Sequence, residues 1–189
     1  MAVRYAVGLQ NRNDAFLQKI IENREYIYEV YLSWGDFPNG RSSQLRSAEY
    51  TEWEMQRWQT EALERLAKAR IPLNLLFNAN CYGRDSQSRA LFSKIGNTAD
   101  YIKSSFGLSS VTTTSPLIAK FFKYNFAGIE VRASVNMEIG TVQGMAYVAQ
   151  YFDSYYMKRE LSLLHTSRRK RFADEKILFS VRETGGMAV

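Results

Sequence analysis

Asn78, Asn80 and Cys81 stand together in the polar run Asn78-Ala79-Asn80-Cys81-Tyr82-Gly83, where side chains could reach a pocket. Each asparagine amide carries a donor and an acceptor, which suits hydrogen bonding to a planar or carboxylated ligand. The structural alternative is that the asparagines cap a loop in left-handed turn angles while Cys81 is a small buried hydrophobe. A catalytic thiol needs a base, and the chain's one histidine, His165, lies far away in a basic segment, so a Cys81–His165 pair is not expected. A single cysteine can neither close an internal disulfide nor build a self-contained zinc site.

Asn136 and Glu138 form a second grouping, with Arg132 a short distance before them. In an extended run, residues two apart point the same way, so Asn136 and Glu138 are expected to project together. Their alternative use is capping, with Glu138 near the positive end of a following helix. Lys158, Arg159 and Glu160 form a third grouping. An Arg159–Glu160 pair could orient a carboxylate or phosphate, since guanidinium binds such groups in bidentate fashion, or it could be a plain ion pair between strands. Arg168, Arg169, Lys170 and Arg171 (RRKR) would attract the phosphates of a nucleic acid. No aromatic residue is interleaved there for base stacking, Phe172 only flanking the run, so a solvated helix face is the plainer reading. No G-x-S-x-G, H-E-x-x-H, G-x-G-x-x-G after a strand, or phosphate-loop motif occurs.

These groupings must be positioned by a regular framework. Six strand-helix units of roughly 30 residues follow one another without a hairpin signal. Strands are expected at residues 4–9, 26–33, 73–77, 107–113, 128–133 and 154–157, with a seventh at 177–181. Helices are expected around Phe16–Ile21, then over 48–70, 88–105, 117–124 and 141–151. Trp53 and Trp58, five residues apart, cannot share one narrow stripe, so one belongs in the core and the other toward solvent. Regular alternation predicts a parallel sheet. The missing nucleotide-loop signatures disfavour an open doubly wound sheet, while polar residues gather at strand ends, where a (β/α) barrel builds its site.

The fold class expected is therefore α/β, a parallel (β/α) barrel of TIM type, incomplete, with six to seven units. The chain forms a single partial barrel domain over residues 1–189, of which 162–189 is a basic segment and tail that fits the pattern poorly. With 189 residues and no eighth strand, it falls short of the roughly 250 residues of a full barrel. An open barrel leaves an unpaired edge, which a partner chain or a homodimer would complete.

Composition limits the partners. The chain is 46% hydrophobic and 23% charged, with only three prolines, which excludes disorder. The formal net charge is +6, and residues 158–176 hold seven Lys or Arg against three acids, leaving the rest near neutral. RNA or an anionic small molecule is the partner class that follows. No apolar run is long enough for a membrane span or a signal peptide, and the single cysteine fits a reducing cytoplasm.

Three patches in order resemble the collagenase-like peptidases of the U32 family: residues 75–83 (LLFNANCYG), 129–137 (IEVRASVNM) and 156–161 (YMKREL) with Ser162. The opening residues 5–10 (YAVGLQ) and 29–41 (EVYLSWGDFPNGR) fit the same picture, so the likeness covers roughly residues 3–162. The resemblance implies a barrel with its site at the mouth, near residues 158–160. It also implies relatives that hydroxylate RNA bases or quinone precursors rather than cut peptides. Those relatives hold an iron-sulfur cluster on four cysteines beyond the matched region, and this sequence has only Cys81. The expectation is a truncated or cluster-free member, inactive alone and without a cofactor or metal of its own. The alternative is a non-catalytic binding or scaffold module for RNA or a partner protein.

Overall fold

The computed structural model describes residues 4–39, 47–157 and 177–179. Seven strands form one sheet: β1 (Tyr5–Gly8), β2 (Ile27–Leu32), β3 (Leu73–Phe77), β4 (Leu108–Thr113), β5 (Glu130–Ala133), β6 (Ser154–Met157) and β7 (Ile177–Phe179). They lie side by side in chain order, and every neighbouring pair is parallel. Helices α1 (Asp14–Glu22), α2 (Glu52–Lys68), α3 (Arg89–Phe106), α4 (Pro116–Asn125) and α5 (Val142–Val148) fill the five connections from β1 to β6. The sequential parallel order is that of a (β/α) barrel. Among the described residues there is no eighth strand.

Each helix starts at a side-chain cap. Asn13, Thr51, Ser88, Ser115 and Thr141 each accept the backbone N–H three residues further on. At Thr51 the cap is reciprocal, because Glu54 reaches back to the Thr51 backbone. This box starts α2 at Glu52, four residues after the position that amphipathic spacing alone predicts. Helix α3 stops at Gly107, whose φ of +82° puts it in the left-handed conformation that a helix end favours in glycine.

The hydrophobic core lies between the helices and one face of the sheet. Val30, Leu75, Phe77, Val111 and Val131 pack there against Leu17, Leu63, Ile102, Ile118 and Phe122. Trp58 joins this layer at 4% exposure while Trp53 stays 71% exposed, the division that their spacing requires. All five residues of β3 are buried, so its other face is covered as well.

Curvature explains that second burial. Tyr156 on β6 donates its hydroxyl hydrogen bond to Glu29 Oε1 on β2 at 2.8 Å, four strands away. In a flat sheet with strands about 4.8 Å apart, those backbones would be roughly 19 Å from one another. The sheet therefore curls into an open, strongly bent part-barrel, and its inner face closes on itself. At the β1–β2 end the inner face is tight. A Cβ on Gly8 would lie 2.8 Å from the Tyr31 ring, so glycine is the residue that lets this ring lie there.

Candidate functional site

The C-terminal ends of β3, β4 and β5 carry an open cleft of about 430 Å³. Its walls come from the loop after β3, the two residues between β4 and α4, and the short turn after β5. These three ends are laced together. Thr114 donates through Oγ1 to the Ala79 carbonyl, Ser134 N–H donates to the Thr113 carbonyl at 3.0 Å, and Asn136 Nδ2 donates to the Asn78 carbonyl at 3.3 Å. Ser115 Oγ caps α4 by accepting the Ile118 N–H. The Gly83 N–H donates to Cys81 Sγ at 3.3 Å, and Gly83 turns the loop with a φ of +62°.

The cleft joins Asn80 and Asn136, separated by 56 positions in the chain, and adds Cys81, Tyr82, Ser86, Thr114, Ser115 and Met137 to them. None of its ten lining residues carries a formal charge. Hydrogen-bonding amides and hydroxyls face an aromatic ring and a thioether, a lining suited to an uncharged polar group with flat faces. Burial pushes the Tyr82 phenol up to about 12, so that it stays a neutral donor throughout the physiological range.

The structure separates residues that the sequence grouped. Asn78 contributes its backbone carbonyl to the lacing, and its Oδ1 is buried without a hydrogen-bond partner. Neither Asn78 nor Asn80 adopts left-handed angles, and Cys81 is exposed, so the capping alternative for this run is corrected on both counts. Asn136 and Glu138 do not project together. A 3-10 turn over Val135–Met137 follows β5 at once, and Glu138 ends it with a φ of 57°, outside the residues lining the cleft. Nor does Glu138 sit in the first turn of α5, which starts at Val142 with Thr141 as its cap. Arg159, Glu160, His165, Arg168, Arg169, Lys170 and Arg171 lie outside the described residues.

Beneath the rim, inside the curl, lies a polar network that sequence reasoning missed. Glu29, 1% exposed, faces the Arg132 guanidinium, 3% exposed, and the two form an ion pair. Asn74 Nδ2 donates to Glu29 Oε1 at 2.8 Å, and Ser110 Oγ donates to Oε2 at 3.4 Å. Arg132 also donates to Glu130 Oε2 at 2.9 Å and to the hydroxyls of Tyr28 and Tyr156 at 3.3 Å. Burial alone would lower the Arg132 pKa, but Glu29 and Glu130 beside it raise it further, so the guanidinium stays charged. The Tyr156 phenol is raised by burial first and then by the Glu29 carboxylate. The sequence signal was a polar residue inside otherwise apolar or aromatic runs in β2 and β3, Glu29 and Asn74, and the charged pair Glu130 and Arg132 in β5.

The single cysteine does not fit an iron-sulfur cluster, and the described residues do not fit another metal centre. The chain has one cysteine, and among the described residues no group of three or more His, Cys, Asp or Glu side chains could hold a metal ion.

No protein-family model matches the chain. No curated protein matches it in sequence. Among solved structures it is similar to the U32 peptidase Mk0906, with a TM-score of 0.71 and 13% identity, over 95% of this chain and 68% of that one. Weaker likenesses join it to a D-psicose 3-epimerase crystallised in the presence of D-fructose (TM-score 0.48, 13% identity, 96% of this chain and 76% of that one) and to a dihydroorotase from Campylobacter jejuni (TM-score 0.40, 14% identity, 94% and 50%). The first of these establishes a shared fold with the U32 peptidase structure.

Proposed function

We propose that the chain is a binding module on a U32-type part-barrel, and that its rim cleft receives a planar, uncharged group of the nucleobase kind presented by single-stranded RNA. The observation that carries this reading is the uncharged, amide-rich lining of the cleft, in which Asn80 and Asn136 offer edge hydrogen bonds beside Tyr82 and Met137. The basic run Arg168–Arg171 supplies sequence-blind attraction to phosphates, and the cleft supplies the discrimination. By resemblance, the chemistry that accompanies such a pocket is hydroxylation of RNA bases or quinone precursors. This chain lacks the four thiolates such relatives use, so binding is the function assigned to it alone. Peptide hydrolysis is not proposed, because the sequence carries neither a G-x-S-x-G elbow nor an H-E-x-x-H motif and has a single histidine, too few for most metal sites.

The test is fluorescence anisotropy of the purified chain with short labelled single-stranded RNAs of differing base composition. Asn136→Ala and Asn80→Ala should each weaken binding by about three- to tenfold, the equivalent of one lost hydrogen bond. They should also narrow the difference between base compositions while leaving the salt dependence as it is. Binding that survives both substitutions but vanishes when Arg168–Arg171 are neutralised would reduce the chain to an electrostatic RNA binder and refute the cleft reading.

A further inference from the structure

Glu29 is bonded to one side chain from each of the next four strands: Asn74 on β3, Ser110 on β4, Arg132 on β5 and Tyr156 on β6. Backbone ladder bonds join only neighbouring strands, so they fix pairing but leave the bend of the sheet free to vary. Bonds from β2 to β5 and β6 run across the chord of the curl instead. We propose that Glu29, Arg132 and Tyr156 are positioning residues that act as a clasp, holding the part-barrel at its curvature and thereby setting the width of the rim cleft.

Three features support a clasp over simple core filling. A buried ion pair is often matched or bettered in stability by well-packed apolar residues, so its presence here points to directional rather than merely cohesive demands. The Glu29 carboxylate has donors on both oxygens, which fixes its position relative to four strands at once. Strand alternation then carries the same face upward from Thr112 to Thr114 and from Arg132 to Ser134. Those side chains hold the rim loops, Thr114 Oγ1 by donating to the Ala79 carbonyl after β3 and Ser134 Oγ by accepting the Asn136 N–H in the turn after β5. The proposal does not depend on what the cleft binds.

Pulsed electron-electron resonance measures the claim directly. Spin labels on Lys19→Cys of α1 and Tyr147→Cys of α5, both exposed positions, report the span between the arms of the curl in a Cys81→Ser background. Glu29→Gln and Tyr156→Phe should each lengthen and broaden the distance distribution while circular dichroism keeps its native shape. Asp36→Asn, which breaks the exposed Asp36–Lys94 pair elsewhere, should leave the distribution unchanged. A wild-type distribution in folded Tyr156→Phe would overturn the proposal, and that variant decides the matter if Glu29→Gln fails to fold. A change of equal size in Asp36→Asn would overturn it as well, since the curl would then answer to any lost contact.

Discussion

Glu29 and Arg132 are almost wholly removed from water, a cost of several kcal/mol per ion that their pairing and the hydrogen bonds around them offset, although Arg132 Nε is buried without a partner. Arg132→Ala strands Glu29 in the interior, and we expect a loss of about 3–5 kcal/mol in urea unfolding. A loss under about 1 kcal/mol would mean that water reaches the site. Tyr82 makes a prediction of opposite character. Its folded pKa is raised from 10.0 to about 12, so between those values the unfolded chain gives up a proton that the folded chain keeps. Stability should therefore fall as pH rises through that window, and Tyr82→Phe should flatten the fall, read as the urea midpoint against pH. Tyr156, raised in the same direction, adds to the wild-type loss. The cleft residues Asn80 and Asn136 were legible in the sequence because loops after strands carry barrel sites. The inner network was not legible. Strands buried on both faces lose the alternation that separates one face from the other, and its bonds join residues 45, 103 and 127 positions apart.

At the scale of elements, strand and helix order follows from periodicity, while boundaries follow from single polar atoms. All five helices begin on an oxygen that accepts the N–H three residues on, and α2 starts where Thr51 and Glu54 close their box rather than where its apolar stripe begins. Ser88→Ala should cost about 1 kcal/mol by removing the acceptor for Leu91 N–H, and Ser88→Gly only a few tenths. Equal losses in the two variants, measured by urea unfolding, would show that Ser88 matters for something other than capping. A turn too short to see in a hydrophobic pattern accounts for Asn136 and Glu138. Three residues of 3-10 geometry after β5 rotate one to the cleft and the other away from it.

The whole molecule combines a strongly curled parallel sheet, a helical layer on its outside and a polar inner face. Among the described residues no helix is long and apolar enough to cross a membrane. Seven strands in chain order were readable from the repeat of units, and the seventh is present over Ile177–Phe179. What the repeat could not convey is that the inside of the curl is held by charge and hydrogen bonds where a barrel of this type ordinarily stacks branched apolar residues. On the proposed reading, the net charge of +6, concentrated toward residues 158–176, supplies long-range attraction to an RNA and the uncharged cleft at the rim supplies local fit. Backbone amide chemical shifts of the nitrogen-15-labelled chain, followed during titration with a short single-stranded RNA, test that division most directly. The account predicts saturable shifts at Asn80, Tyr82, Thr114 and Asn136 that persist when salt weakens the overall affinity. Shifts confined to the region of Arg168–Arg171, with the cleft residues unmoved at saturation, would contradict it.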